Sequence, residues 1–201
     1  MNLSLLPNKC YLCILTVALI NFQTLNSTLQ ATEKGKTMLL DQKTTLLDGK
    51  SIDLSVYAGK VILFVNTASY CGYTPQYKEL QKLHERYEKQ GFTVIAIPCN
   101  NFGNQEPGKP NEIKQFLQEN NYAITFPILS KRDALGNEKN TLFQYLTELA
   151  PKDGKSLDVQ WNFEKFLVNR KQEVVARFRS SVNPLDNEVI AAIEKALQEK
   201  P

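Results

Sequence analysis

The side chain with the clearest chemical potential in this sequence is that of Cys71, which stands in the stretch VNTASYCGYTPQYKELQKL. An apolar run over residues 61–65 precedes it, and apolar positions Leu80, Leu83 and Tyr87 follow at helical spacing until Gly91. A short apolar run bounded by turns reads as a buried, parallel strand, and Thr74-Pro75 reads as a helix start with Thr74 as cap. A cysteine in a strand-to-helix turn faces unpaired backbone N–H groups and the positive end of the helix dipole, which favours thiolate over thiol. Thiolate attacks peroxide oxygen and becomes a sulfenic acid. The position three residues on is Thr74, so the turn carries no CxxC pair and no disulfide-exchange chemistry.

Other reactive side chains are few. Cys99 closes a second apolar run and reads as a buried hydrophobe. Among 201 residues His84 is the only histidine, so Ser-His and Cys-His dyads and Cys/His metal sites are poor readings. Its place in the middle of a helix reads as a surface position. The net charge of +3 is small and its lysines and arginines are scattered, which argues against nucleic acid as a partner.

The elements that must position Cys71 follow from periodicity. Residues 92–97 form a second buried run, which with residues 61–65 and the intervening helix makes a right-handed parallel crossover. Asn111 starts another helix with apolar positions Ile113, Phe116 and Leu117, residues 126–129 are extended, and residues 141–149 are helical. Residues 163–168 and 174–178 read as an antiparallel hairpin, and Pro184 opens a last helix with Val189, Ile190, Ile193 and Leu197 on one face. Alternation over residues 51–54 suggests short edge strands. The sum is an α/β domain with a thioredoxin-like mixed β-sheet flanked by helices, without internal repeats.

The first 31 residues differ in character. Lys9 precedes an apolar run from Cys10 to Ile20, and a polar stretch leads to Ala31, which reads as a secretory signal peptide with cleavage after Ala31. The apolar run is about half the ~20 residues that span a bilayer, so no stable membrane span is expected. Cys10 and Cys13 have CxxC spacing, but within an apolar leader they read as small hydrophobes. Asn26-Ser27-Thr28 is a glycosylation sequon inside the segment expected to be removed. The expected organisation is a leader over residues 1–31 and one domain over residues 32–201, exported to a periplasm or the exterior if the leader is cleaved and otherwise cytoplasmic.

Four stretches in order resemble the glutathione peroxidase family. The first is the cysteine turn itself, similar to the family's cysteine or selenocysteine motif. The others are IPCNNFGNQEPG at residues 97–108, TFPILSKRDALGNEKN at 125–140 and WNFEKFLVNRKQEVVARF at 161–178. The resemblance spans residues from about 38 to 199 and implies a catalytic tetrad of Cys71, Gln105, Trp161 and Asn162. It also implies a thiol-dependent peroxidase acting on hydrogen peroxide and organic or lipid hydroperoxides through a sulfenic acid. Carboxamide and indole N–H groups suit that role as neutral donors to a thiolate and a peroxide oxygen. No cofactor is implied beyond glutathione or thioredoxin as reducing co-substrate. A peroxide-sensing relay that passes the oxidation to a partner protein is the alternative, and a thioredoxin-fold binding domain without redox chemistry is a weaker one.

Two departures from the family pattern matter. Many thioredoxin-dependent members carry a resolving cysteine near the end of the second helix, where this chain has Leu117, Gln118 and Glu119. The expected reductant is therefore glutathione or another small thiol, with Cys99 as an unorthodox second choice of resolver. The connection between Leu149 and Trp161 is shorter than in tetrameric members, so a monomer with an open site is expected. A third departure, Asn101 where the family usually has Gln, is expected to matter little.

Overall fold

The computed structural model describes residues 39, 40, 42–151 and 157–200, so the leader read in residues 1–31 lies outside the described residues. Strands β1 (Lys43–Thr45) and β2 (Ser51–Asp53) pair antiparallel as a separate ribbon. After a 3-10 turn at Leu54–Tyr57 come β3 (Val61–Thr67), α1 (Gln76–Tyr87) and β4 (Phe92–Pro98). Then follow α2 (Pro110–Glu119), α3 (Thr141–Leu149), β5 (Lys165–Val168), β6 (Val174–Phe178) and α4 (Asn187–Gln198).

The main sheet has the order β4-β3-β5-β6, with β3 and β4 parallel and the other two pairings antiparallel. This is the mixed α/β sheet expected from the sequence. Every residue of β3 and β4 is buried because helices cover both faces. Alternation along β3 divides the core into two layers. Val61, Leu63 and Val65 pack with Leu80 and Leu83 of α1, Ile113 of α2 and Val189 and Ile193 of α4. Ile62 and Phe64 pack on the other side with Leu142, Phe143 and Leu146 of α3. Each such side chain contributes about 1.5–3 kcal/mol by leaving water, and β3 is also paired on both edges.

Several local readings change. The regular helix α1 begins at Gln76, not Thr74, and its cap residue Pro75 makes no side-chain bond. The Thr74 hydroxyl is instead spent on the cysteine turn. Helix α4 begins at Asn187, after a turn in which Asp186 accepts from the Asn183 N–H at 2.9 Å. Residues 126–129 extend beside β4, with Ala96 N donating to Pro127 O and Leu129 N donating to Ala96 O. His84 is buried rather than at the surface: its ring meets Phe126 edge-on at 5.9 Å, and burial pushes its pKa down. Gly91 ends the helical segment at φ 88°, where a side chain would be strained and would meet the Arg170 guanidinium.

The hairpin buries charge. Glu164 is fully buried and accepts from Arg177 at 2.8 Å and Arg179 at 3.2 Å. Next to it, Lys165 is also fully buried, and its ammonium donates to Val182 O at 2.6 Å and Ser180 O at 3.4 Å. Burial lowers the Lys165 pKa to about 7 against the pull of Glu164 and Asp186. Because the folded value lies below the unfolded one, the unfolded chain binds the extra proton between about pH 7 and pH 10, and stability rises with pH across that window. Replacing Lys165 with Met should flatten that rise, which is on the order of 3–5 kcal/mol in the wild type. Urea unfolding of the two proteins at several pH values checks this.

Candidate active site

The cysteine turn hangs from the end of β3. Main-chain bonds from Thr74 N to Cys71 O at 3.0 Å, Gln76 N to Tyr73 O at 2.9 Å and Tyr77 N to Thr74 O at 3.1 Å wind the chain into α1. The Thr74 hydroxyl accepts from Cys71 N at 3.1 Å and donates to Ala68 O at 2.9 Å, so it clamps the start of the turn to its end. Cys71 is 8% exposed, and the Tyr73 N–H donates to its Sγ at 3.5 Å. The sulfur thus sits at the N-terminal end of a helical segment with a backbone N–H aimed at it.

A second loop follows β4. Gly103 and Asn104 both adopt positive φ, at 63° and 52°, and this double left-handed step swings Gln105 back towards the cysteine turn. There Tyr70 N donates to Gln105 O at 3.0 Å, which joins the two loops one residue from Cys71. Gly103 packs against the Trp161 ring, and its positive φ is what favours glycine there.

The third loop precedes β5 and carries Trp161 and Asn162. Asn162 is fully buried, and its amide donates to Gln105 Oε1 at 2.9 Å and Phe102 O at 3.4 Å. Trp161 is 39% exposed and packs at 6.1 Å from Phe102. The structure thus gathers Gln105, Trp161 and Asn162 and ties the cysteine turn to Gln105. Among the described residues, no group accepts a hydrogen bond from Gln105 Nε2 or the Trp161 indole, so two neutral donors are unspent. Asn162, expected as a third donor, spends its amide on orienting Gln105.

Cys99 lies elsewhere. It is fully buried at the end of β4, its main chain donates to Thr67 O at 3.0 Å, and its thiol donates to Asn101 Oδ1 at 3.0 Å. Burial raises its pKa, and both Cys71 and Cys99 are free thiols. Asn101, treated lightly in the sequence, also accepts from Ala134 N at 2.7 Å and donates to Asp133 at 3.1 Å, so it fastens this loop to the segment before α3. Among the described residues no group of three or more His, Cys, Asp or Glu side chains stands together as a metal site.

Two contributors were missed from the sequence. Asn66, inside buried β3, donates to Trp161 O at 3.0 Å and accepts from Glu164 N at 2.9 Å. Its own carbonyl accepts from Phe163 N at 2.7 Å, where Phe163 is held at φ 64°. A carboxamide in an otherwise apolar strand run was the available signal, since a buried polar group must find partners. Glu106 is the other, fully buried beside Gln105.

The chain is similar to known proteins over most of its described length. The family profile described as glutathione peroxidase matches residues 39–147. The hydroperoxy fatty acid reductase gpx1 of Synechocystis is 47% identical over 156 residues, covering 75% of this chain and 90% of the relative. The glutathione peroxidase-like peroxiredoxin gpx1 of Schizosaccharomyces pombe is 46% identical over 144 residues, covering 71% and 90%. Among solved structures, Trgpx in apo form superposes with a TM-score of 0.66 at 33% identity, covering 83% of this chain and all of that one. A thioredoxin-family protein of Neisseria meningitidis matches at TM-score 0.55 and 15% identity, which speaks for the fold alone.

Removing the Asn66 side chain leaves Trp161 O and Glu164 N without partners, so Asn66→Ala should cost about 1–3 kcal/mol for each buried group left unpaired. Urea unfolding measures that cost. Trp161 is the only tryptophan, and its fluorescence should shift towards that of an exposed indole in the folded variant.

Proposed function

This chain belongs to the glutathione peroxidase family and is a thiol-dependent peroxidase that reduces hydroperoxides, and we propose that its reaction runs through Cys71. The thiolate attacks the terminal peroxide oxygen, an S–O bond forms, the O–O bond breaks, and the departing alkoxide takes a proton to leave as alcohol. Gln105 Nε2 and the Trp161 indole N–H donate to the oxygen on which charge develops, while Asn162 holds Gln105 in place. The observation that carries this reading is the joining of the cysteine turn to the Gln105 loop by the Tyr70–Gln105 main-chain bond.

Regeneration follows from what surrounds the two free cysteines. An external thiol attacks the sulfenic sulfur and releases water, a second thiol attacks the mixed disulfide, and Cys71 returns to thiol as the donor leaves as its disulfide. Glutathione or another small thiol fits this cycle, because α2 carries no cysteine and Cys99 is sealed in the core. The enzyme acts as a monomer with its site open to bulky hydroperoxides, and residues 1–31 direct its export.

Steady-state peroxide reduction with glutathione and with thioredoxin as donor tests this. Turnover should run with glutathione, Cys71→Ser should abolish it, and Cys99→Ser should keep most of it. Turnover with thioredoxin alone that disappears in Cys99→Ser would make Cys99 the resolver and overturn the external-thiol cycle.

A further inference from the structure

Directly beneath the cysteine turn lies a group of buried polar atoms that the reaction just described does not use. Glu106 follows Gln105 in the chain and is fully buried. Neither of its carboxylate oxygens completes a hydrogen bond, and the same is true of the Ser69, Thr67 and Tyr77 hydroxyls, all buried. The Ser69 hydroxyl faces the Glu106 carboxyl, and the Tyr77 hydroxyl faces Thr67 and feels the Glu106 charge. These residues come from three elements: Thr67 and Ser69 from the chain leaving β3, Tyr77 from α1 and Glu106 from the loop after β4.

Among the described residues, the cation that acts on Glu106 is Lys131, and it is otherwise engaged. The Lys131 ammonium spends its three donors on the carbonyls of Glu106, Pro107 and Gly108, at 2.8, 3.3 and 2.8 Å. It lowers the Glu106 pKa through space without contacting the carboxyl. An ionised carboxylate, closed off from water and without a cation in contact, is far costlier to bury than the neutral acid. A neutral acid also brings an O–H, one more donor beside those of the three hydroxyls. Burial accordingly raises the Glu106 pKa to about 7, with Ser69 and Lys131 pulling the other way.

We propose that Glu106 is a positioning residue that works as the neutral acid, its carboxyl joining the Ser69, Thr67 and Tyr77 hydroxyls in one hydrogen-bonded cluster that locks the cysteine turn against the Gln105 loop. The inference rests on the reading of Cys71 as nucleophile. Ser69 is two residues before Cys71 and Glu106 is one after Gln105, so the cluster is a second fastening beside the Tyr70–Gln105 bond. Ionisation replaces the donor with a buried charge that also faces Tyr77 and Cys99, the cluster must admit water, and Cys71 and Gln105 lose their alignment.

The test uses the full chain and Glu106→Gln, which keeps the shape and cannot ionise. The rate of Cys71 oxidation by hydrogen peroxide is followed in single turnover by Trp161 fluorescence, with each profile normalised to its own maximum. In the wild type the rate should pass a maximum near pH 7 and fall by about tenfold or more by about pH 9. Glu106→Gln should lack that fall. Ser69→Ala removes a group that favours the charged form, so its fall should move to higher pH. A second readout is stability: the folded pKa lies above the unfolded one, so Glu106 contributes stability that is complete below about pH 4.5 and lost as pH rises to about 7. The slope that Glu106 adds over that window should vanish in Glu106→Gln. A missing slope with an unchanged rate profile would make Glu106 a buried acid only and overturn the positioning role. Identical rate profiles in wild type and Ser69→Ala would overturn it as well, including where Glu106→Gln does not fold. Absence of peroxide-driven oxidation at Cys71 in the wild type would instead sink the nucleophile assignment, and the positioning role with it.

Discussion

The whole site depends on how β3 ends. A central strand buried on both faces and paired on both edges cannot stop without finding partners for the main-chain groups beyond its ladder. Here the partners are the site loops themselves. The Asn66 carbonyl takes Phe163 N, its side chain takes Trp161 O and Glu164 N, and Thr67 O takes Cys99 N. Tyr70 N then takes Gln105 O. Each loop that carries a reactive or orienting side chain is therefore fixed by a hydrogen bond that the strand end would otherwise leave unmade. Leaving such a group unpaired costs about 1–3 kcal/mol, about twice the net value of an average hydrogen bond.

Rigidity of this kind has a chemical use. In the proposed reaction the two donors are neutral, so their orientation, not their charge state, sets how well they serve the transition state. Gln105 is oriented by Asn162, and Trp161 is packed over Gly103 beside Phe102. The same economy of charge extends into the interior. Glu164 is compensated by Arg177 and Arg179, while Lys165 and Glu106 are uncompensated by contact ions and are shifted towards their neutral forms.

Much of this was legible in the sequence, and the limits have physical causes. Strands β3 and β4 were legible because their apolar runs are long and bounded by turns, and α3 because its period is regular. The tetrad was implied only by the family resemblance of four ordered motifs, since Gln105 or Trp161 alone resembles any loop or core residue. Helix starts were off by two or three residues because a turn of 3-10 character precedes α1 and an Asp186 turn precedes α4, and neither changes the apolar period. His84 was misread because one-dimensional spacing does not reveal that residues 126–129 return over that face of α1. Asn66 and Glu106 were missed because their partners lie far along the chain, where spacing says nothing.

The proposed cycle requires that oxidation begins and stays at Cys71 until an external thiol arrives. Mass spectrometry of the protein after one equivalent of hydrogen peroxide, with peptide mapping of the Cys71 and Cys99 segments, addresses it directly. One added oxygen on the Cys71 peptide, with Cys99 unmodified, is the predicted result. Loss of two hydrogens with the Cys71 and Cys99 peptides linked would contradict it. Because Cys99 is fully buried, such a bond would mean that the end of β4 opens during turnover.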